Sequence, residues 1–348
     1  MEMRKLGTTD IDVSLICLGT MTFGEQNTAE EAFAQMDYAV TQGVNFFDTA
    51  ELYAIPPKAE TYGRTEEIIG DWFKKTGKRK DIILASKVVG PASHMKWIRE
   101  GKARLEPDQI VAACDASLKR LQTDYIDLYQ IHWPDRPVNS FGKMDFDSKL
   151  VNSRAREKIG EILEALGALV AAGKVRHIGL SNETPWGVMT YLKIAAEKNL
   201  PRVQSIQNAY SLLNRTFDIG LSEIALQEKV GLLAYSPLGG GTLTGKYLNG
   251  QVPAGSRRAI DARTSRYKRP LEDETVSAYV TIARKYGLDP AAMANAFVNI
   301  QPHVTANIIG ATSVEQLQVN IGSVDLKLSP DILREINAVH DKHPNPCP

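Results

Sequence analysis

The stretch from 107 to 134, PDQIVAACDASLKRLQTDYIDLYQIHWP, contains one complete unit of the pattern that decides the fold. Residues 107–121 have a helical pattern, which begins with the start signal Glu106-Pro107-Asp108. The run IDLYQIH at 126–132 is short and rich in Ile, Leu and aromatic residues, which predicts a strand buried in a parallel sheet. A helix followed by a buried strand indicates the α/β class.

The same alternation of a short apolar run and a helical stretch occurs eight times along the chain. The predicted strands are 14–19, 44–48, 82–87, 126–132, 175–181, 204–208, 232–236 and 306–311. The predicted helices lie near 28–42, 65–76, 107–121, 157–172, 184–198, 217–228, 272–286 and 313–323. Eight βα units are the pattern of a (β/α)8 TIM barrel, whose usual span of about 250 residues allows insertions. The sequence therefore predicts one α/β barrel domain over residues 1–348.

The chain is longer than a minimal barrel, and the extra residues fall in identifiable places. Residues 1–13 predict a hairpin that closes the bottom of the barrel, and residues 329–342 predict an added C-terminal helix. Long βα connections are predicted at 88–106, 133–156 and 237–271. Because all three follow strand ends, we expect them on the C-terminal face, where barrel enzymes hold their active sites. A doubly wound sheet is the alternative, but SLICLGTMTFG at 14–24 contains no GxGxxG.

Composition and charge exclude several classes of protein. Hydrophobic residues make up 43% and charged residues 24% of the 348 residues, which excludes a disordered chain, a coiled coil and collagen. The 41 Lys and Arg residues balance the 41 Asp and Glu residues, so nucleic acid and membrane surfaces are not expected partners. The sequence contains no run of about 18 apolar residues, so it predicts no transmembrane helix. The N-terminus lacks the apolar region of a secretory signal peptide.

Other chemical motifs are absent or incomplete. Cys17, Cys114 and Cys347 form neither a CxxC motif nor a zinc pattern, so we expect a cytoplasmic protein without a bound metal. The run GGTLTGK at 240–246 approaches the P-loop motif, but Tyr247 stands where that motif needs a Mg²⁺-binding hydroxyl. The sequence contains no GxSxG nucleophile and no HExxH motif.

Titratable side chains follow three consecutive predicted strands. Asp48 ends the second strand, Tyr53 follows it by five residues, Lys87 ends the third strand and His132 ends the fourth. Any one of them could be an ordinary strand end or a surface charge, but in a barrel all four meet at one rim. An ammonium lowers the pKa of a nearby phenol, a carboxylate keeps the ammonium charged, and an imidazole can donate a hydrogen bond to a substrate oxygen. The set predicts proton donation to a carbonyl that is becoming an alkoxide.

Long ordered motifs along the chain resemble those of the aldo-keto reductase superfamily. They are LGTMTFG, FFDTAELYA, GRTEEIIGDWF, SLKRLQTDYIDLYQIHWP, GKVRHIGLSN, IQNAYSLLNR and AYSPLGGGTLTGKY. The resemblance extends from about residue 6 to residue 326 and is closest to the Tas-type and potassium-channel β-subunit-like branch. It implies a (β/α)8 barrel that uses NADPH to reduce a small-molecule carbonyl substrate. The catalytic tetrad of the family falls on Asp48, Tyr53, Lys87 and His132.

The resemblance also implies where the nicotinamide binds. Ser181, Asn182 and Gln207 match the residues that hold the carboxamide, and Tyr235 matches the residue that stacks on the ring. An aromatic residue in a strand more often packs in the core, but Tyr235 stands at a strand end before a glycine run. Such a run lets backbone N–H groups approach a pyrophosphate. The residues of this predicted phosphate loop are Ser236, Pro237, Leu238, Gly239 and Gly240.

Two further segments bear on the rest of the nucleotide. The segment RRAIDARTSRYKR at 257–269 carries six basic residues and one acid, and most of these basic residues fit a solvated loop. Arg257 in this segment, and Lys246 before it, match residues that bind the 2′-phosphate in the family. In GATSVEQLQVN, at 310–320, the family's C-terminal cofactor motif falls on Gly310, Thr312, Gln316 and Asn320. Many family members have an arginine where Gln316 stands, and channel-like relatives have a glutamate where Val319 stands. The missing arginine at Gln316 weakens the implied preference for NADPH without removing it, and Val319 puts the anchoring of the adenine at this position in doubt, although Asn320 remains.

Two functions of different classes remain open. The first is an NADPH-dependent carbonyl reductase with Tyr53 as proton donor; the second is a nucleotide-binding regulatory or sensing protein with slow, incidental reductase activity. A metal-dependent hydrolase is disfavoured because no ligand cluster is recognisable. The loops 88–106 and 133–156 are predicted to form the outer wall of the substrate pocket and to contribute little to stability, with an oligomer contact as the alternative. Candidate pocket residues are Trp133, Phe23, Tyr53 and Trp97, whereas the substrate and the oligomeric state are not predicted.

Overall fold

A closed barrel of parallel strands forms the centre of the computed structural model, which describes residues 1–261 and 266–348. The barrel strands are β3 (Ile16–Gly19), β4 (Phe46–Asp48), β5 (Ile83–Val88), β6 (Ile126–Ile131), β7 (Val175–Ser181), β8 (Val203–Ala209), β9 (Gly231–Tyr235) and β10 (Val304–Ile309). Each strand pairs with the next along the chain, and β10 pairs with β3 to close the ring. The predicted TIM barrel is confirmed.

Helices connect and surround these strands. They are α1 (Ala29–Thr41), α2 (Arg64–Thr76), α3 (Pro107–Leu121), α4 (Ala155–Ala171), α5 (Pro185–Lys198), α6 (Leu221–Gln227), α7 (Arg257–Ile260), α8 (Glu272–Lys285), α9 (Pro290–Asn299), α10 (Val314–Gly322) and α11 (Pro330–Lys342). At the predicted start of α3, Pro107 occupies the first turn and the Glu106 side chain makes no capping hydrogen bond. Thr28 and Glu31 form a capping box on α1, and the Ser313 side chain accepts a hydrogen bond from the Gln316 N–H on α10.

The helical predictions differ from the structure at α6 and α9, and the short helix α7 lies inside the predicted connection 237–271. The helix predicted near 217–228 is shorter, because residues 216–218 form a separate 3-10 turn before α6. Helix α9 was not predicted, although the Asp289 carboxylate caps it by accepting hydrogen bonds from the N–H groups of Ala291 and Ala292. Its buried face includes Asn295 and Asn299, and these polar residues interrupt the apolar pattern by which a helix is recognised.

A hairpin closes the bottom of the barrel, as predicted. Strands β1 (Met3–Lys5) and β2 (Asp12–Ser14) are antiparallel, and the side chains of Leu6, Ile11 and Val13 pack into the interior cluster beneath the strands. At the opposite end, the connections 88–106, 133–156 and 237–271 leave β5, β6 and β9 on the C-terminal face. No helix of the described residues is long and apolar enough to cross a membrane.

Candidate active site

The side chains at the ends of β4 and β5 meet inside the C-terminal rim. Asp48 is the last residue of β4, and Lys87 lies near the end of the neighbouring strand β5. The Lys87 Nζ donates hydrogen bonds to Asp48 Oδ2 at 2.6 Å, to the Thr49 carbonyl oxygen at 2.9 Å and to Tyr53 Oη at 3.3 Å. One ammonium therefore joins the carboxylate and the phenol that the sequence placed at this rim.

His132 completes the group on the next strand. It follows β6 directly, and its ring lies edge-on to the Tyr53 ring with 5.7 Å between centroids. The Asn182 side-chain amide donates a hydrogen bond to the His132 carbonyl oxygen at 2.8 Å, which holds the backbone at the end of β6. The Trp133 ring packs against the imidazole at 4.9 Å. All four predicted tetrad residues thus lie side by side.

Lys87 is fully buried, so its charge depends on its neighbours. Burial by itself lowers the pKa of a lysine, but Asp48 and Tyr53 outweigh that effect, and the pKa of Lys87 is raised above its ordinary value. Lys87 is therefore an ammonium at neutral pH. A fixed positive charge at hydrogen-bond distance stabilises a phenolate relative to a phenol, which favours proton release from Tyr53.

The floor under this group is made of two buried glutamines. The Nε2 atoms of Gln207 and Gln130 donate hydrogen bonds to Asp48 Oδ1 at 2.8 and 3.3 Å, and Gln207 Nε2 also donates to Gln130 Oε1 at 3.2 Å. The family resemblance assigns Gln207 to the nicotinamide, whereas Gln130 is not among the residues predicted from the sequence. Its signal is weak but present, since Gln130 stands two residues before His132 and alternation in a strand puts both on one face.

The residues expected to hold a nicotinamide form a connected row on β7, β8 and β9. The Tyr235 hydroxyl donates to Asn182 Oδ1 at 2.7 Å, and the Ser181 hydroxyl donates to the Gln207 carbonyl oxygen at 2.8 Å. The structure therefore brings Ser181, Asn182, Gln207 and Tyr235 together beside the tetrad. Two side-chain amides next to an aromatic ring are groups that can pair with a carboxamide and cover a flat heterocycle.

The predicted phosphate loop follows β9 in left-handed backbone conformations. Ser236 has φ of 56°, and Gly239, Gly240 and Gly241 have φ of 56°, 65° and 93°. The N–H groups of Gly239 and Gly241 donate to the carbonyl oxygens of Ser236 and Leu238, so these two N–H groups are engaged within the loop itself. The left-handed conformations of this tight turn account for the glycine run. The fixed φ of Pro237 further restricts the backbone of the turn.

The basic residues near this loop have different surroundings. Arg257 pairs with Asp261 at 3.0 Å and donates to Gln26 Oε1 at 3.1 Å, whereas the Lys246 Nζ lies 5.3 Å from the centre of the Tyr247 ring. The Arg266 guanidinium lies 5.8 Å from the centre of the Tyr235 ring. Of the six basic residues in 257–269, Arg263 lies outside the described residues.

The C-terminal cofactor motif forms the connection from β10 into α10. Gln316 Oε1 accepts hydrogen bonds from the Thr312 N–H at 3.0 Å and hydroxyl at 3.3 Å. Asn320 is buried; it donates to the Gly310 carbonyl oxygen at 3.0 Å and accepts from Asn295 at 3.0 Å. Gln316 therefore covers the start of α10, and Asn320 shapes the turn from the inside.

The loop 88–106 is anchored beside Tyr53 by a buried ion pair that is not predicted from the sequence. The Glu51 carboxylate, which is fully buried, accepts hydrogen bonds from both Nη atoms of Arg99 at 3.0 and 2.9 Å. It also accepts from the Val89 N–H at 2.6 Å and the Tyr62 hydroxyl at 3.0 Å. Because Glu51 and Arg99 lie in separate loops, their pairing was not visible in a linear reading.

Apolar side chains from these loops pack around Tyr53. The cluster contains Ala50, Leu52, Ile55, Val89, Ala92, Met95, Ile98 and Ala103, with Met21, Tyr62 and Trp133 against it. Phe23, a predicted pocket residue, belongs instead to the outer core and is fully buried there, and Trp97 is partly exposed. The C-terminal residues also reach this rim. The Cys347 N–H donates a hydrogen bond to the Leu213 carbonyl oxygen, and the Cys347 thiol donates one to the Tyr267 carbonyl oxygen.

Comparisons with known proteins identify the family of the chain. The model of the aldo/keto reductase family matches residues 15–341. The chain is 51% identical to Protein tas of Escherichia coli over the whole of both chains. It is 37% identical to the uncharacterized oxidoreductase YrpG of Bacillus subtilis (97% of this chain, 96% of the relative). It is 31% identical to a probable voltage-gated potassium channel subunit beta of Arabidopsis thaliana (99% and 98%). The chain belongs to the aldo/keto reductase family of oxidoreductases and has the TIM-barrel fold of that family.

Proposed function

We propose that the protein is an NADPH-dependent reductase of small-molecule aldehydes or ketones. The observation that carries the proposal is the Lys87 ammonium, which donates to both Asp48 Oδ2 and Tyr53 Oη within the C-terminal rim. Burying a cation costs folding free energy, so stability alone does not explain why this ammonium is buried against a phenol. It makes the phenol a better proton donor, and carbonyl reduction needs such a donor.

The residues beside the tetrad fit a nicotinamide dinucleotide. The Tyr235 ring, with the side-chain amides of Asn182 and Gln207, provides a flat face and hydrogen-bonding groups for a carboxamide. The loop from Ser236 to Gly240 and the motif of Gly310, Thr312, Gln316 and Asn320 lie on the following strands β9 and β10. When bound, the reduced nicotinamide supplies a hydride to the carbonyl carbon.

The chain's own residues have distinct tasks in this scheme. Tyr53 donates its hydroxyl proton to the substrate oxygen as that oxygen gains negative charge. Lys87 stabilises the phenolate that remains, and Asp48 holds Lys87 charged and in place. His132, edge-on to Tyr53, is placed to donate a hydrogen bond to the same oxygen and orient the carbonyl. The apolar cluster around Tyr53 excludes water and favours a hydrophobic substrate.

We further propose that Lys246 and Arg257 bind the 2′-phosphate of NADPH. Guanidinium and ammonium groups form charge-assisted hydrogen bonds to phosphate, and NADH lacks the 2′-phosphate.

The three cysteines are buried and free, which supports a reducing cytoplasmic location.

A panel of aldehydes and ketones, with NADPH and NADH in parallel, tests the proposal. The absorbance of the reduced cofactor should fall with at least one aldehyde in the parent protein, faster with NADPH, and not measurably in Tyr53→Phe. Absence of carbonyl-dependent oxidation across the panel, in protein that binds NADPH, contradicts the reductase proposal.

A nucleotide-binding regulatory protein is the second candidate, and the similarity to a probable potassium channel β subunit favours it. The same panel separates the two. Tight NADPH binding combined with turnover no faster than that of Tyr53→Phe supports a regulatory protein, whereas turnover that depends on Tyr53 supports the reductase.

A further inference from the structure

Gln130 occupies an unusual place for an amide. It lies near the C-terminal end of the buried barrel strand β6, it is fully buried, and in the β5–β6 register it stands opposite Lys87. Its partners come from distant parts of the chain: Nε2 donates to Asp48 Oδ1 at 3.3 Å, and Oε1 accepts from Gln207 Nε2 at 3.2 Å. A buried polar side chain is costly unless its hydrogen bonds are made, so its function here lies in these bonds.

The chemistry of Asp48 determines how the two amides are oriented. An ionised carboxylate can only accept hydrogen bonds, so both glutamines must turn their NH2 groups towards it. With its NH2 on Asp48 Oδ1 at 2.8 Å and on Gln130 Oε1, Gln207 turns its carbonyl oxygen away from the floor. Gln130 supplies the second acceptor for that NH2 and thus restrains the amide plane of Gln207.

The same bonds also restrain Asp48. Its Oδ2 accepts from Lys87 at 2.6 Å, and its Oδ1 accepts from both glutamines. Rotation of the carboxylate away from Lys87 would break two or three hydrogen bonds in a buried site, since Asp48, Lys87, Gln130 and Gln207 are all at most 3% exposed. The direction in which Lys87 points, and therefore its contact with Tyr53, depends on this arrangement.

We propose that Gln130 is a positioning residue that couples the proton donor to the cofactor site. Through Asp48 it holds Lys87 against Tyr53, and through Gln207 it presents a carbonyl acceptor to the nicotinamide carboxamide. This inference rests on the proposed reductase function. It assigns Gln130 a task that Gln207 alone does not perform, because the bond to Asp48 fixes which end of the Gln207 amide faces the floor and the bond to Gln130 restrains the plane of that amide.

The experiment replaces Gln130 by Met and by Glu. Gln130→Met keeps the length and removes both hydrogen bonds; it should lower kcat at least about tenfold and raise the KM for NADPH severalfold. Gln130→Glu is a pH-dependent version of the same test. When protonated, the new carboxyl can donate to Asp48 as the amide does; when ionised, it repels Asp48 and can only accept. The kcat of Gln130→Glu, relative to the parent, should therefore fall by at least about tenfold as pH rises from acidic to mildly alkaline.

The matched control is Gln204→Met, near the N-terminal end of β8 and on the side of the barrel away from the tetrad. Gln204 is also buried in the barrel, but its Oε1 accepts from the N–H and hydroxyl of Thr8 in the bottom hairpin. This variant should lose stability and keep the parent kcat, KM and pH profile. A purely structural Gln130 would behave in the same way.

A second readout does not depend on turnover. In cofactor-free protein with nitrogen-labelled glutamine, the side-chain amide resonances of Gln207 should be sharp in the parent and in Gln204→Met, and broadened or doubled in Gln130→Met. If the parent reduces carbonyls but both Gln130 variants keep its kcat, KM and pH profile, the inference is overturned. If no variant or parent turns over, the reductase proposal fails instead, and unchanged Gln207 resonances in Gln130→Met then overturn the inference independently.

Discussion

The Lys87 ammonium lies 3.3 Å from the Tyr53 hydroxyl oxygen and 4.8 Å from the centre of the Tyr53 ring. Both side chains are buried, so little water screens the interaction. Asp48 Oδ2 accepts a hydrogen bond from the same ammonium at 2.6 Å and helps to keep it charged. The pair is therefore a proton donor, Tyr53, with its counter-charge, Lys87, already in place.

Tyr53→Phe should lower kcat by at least about a hundredfold, the usual scale of general acid catalysis, and leave NADPH affinity nearly unchanged. The substitution keeps the ring against His132 and removes the proton. The measurement is steady-state turnover with a fluorescence titration of NADPH. The control is Tyr62→Phe, which removes a nearby phenol that hydrogen-bonds to Glu51 and lies outside the tetrad. Near-parent turnover of Tyr53→Phe assigns the proton to another group.

Lys87→Met should lower kcat and move the alkaline limb of the pH–rate profile to higher pH. The parent pKa of Lys87 is raised, so the cation is present throughout the neutral range and its removal deprives the phenolate of stabilisation there. A pH–rate profile of kcat/KM in parent and variant checks this. An unmoved alkaline limb indicates that Lys87 acts on the strand geometry rather than on the acidity of Tyr53.

The rim tetrad could be predicted from sequence because each member directly follows an apolar run, and the ends of neighbouring parallel strands meet. Gln130 and Arg99 could not, because their importance comes from Asp48 and Glu51, which are distant in the chain. Helix α9 was missed for a related reason. Asn295 is buried by pairing with Asn320 and Asn307, and a polar residue satisfied by tertiary partners looks like a surface residue in a pattern.

Neutralising Lys246 and Arg257 together, each to Gln, should weaken NADPH binding strongly and NADH binding little. The 2′-phosphate carries the charge that these residues are proposed to bind. Arg257→Gln alone should have the larger share, because it also leaves the Asp261 carboxylate without the guanidinium now 3.0 Å away, and that carboxylate repels a phosphate.

Titration of both cofactors by fluorescence measures these effects. Lys268→Gln, on the exposed part of the same basic segment, is the charge-matched control and should leave both affinities unchanged. Equal losses for NADPH and NADH in the double variant place the two residues elsewhere than at the 2′-phosphate.

The two long loops at the rim should respond differently to substitution, contrary to the expectation that both contribute little to stability. Loop 88–106 is anchored by Glu51 and Arg99, and removing one partner of a buried ion pair leaves the other without compensation. Arg99→Met should therefore lower Tm by several degrees. It should also lower kcat, because Glu51 stands two residues before Tyr53.

Loop 133–156 has the opposite character at its tip, where Phe141 and Phe146 are both more than half exposed. Removing exposed apolar side chains costs little stability, because they bury little surface on folding. The double variant Phe141→Ser, Phe146→Ser should keep Tm and NADPH affinity close to the parent. It should raise the KM for bulky aryl aldehydes, because the tip lies next to the loop after β9, where the Arg269 guanidinium donates a hydrogen bond to the Gly142 carbonyl oxygen. Small aldehydes, which would not reach the tip, serve as the internal control. A parent-like substrate ranking in this variant, or a large fall in its Tm, shows that the tip is an interface or part of the scaffold and no wall of the substrate pocket.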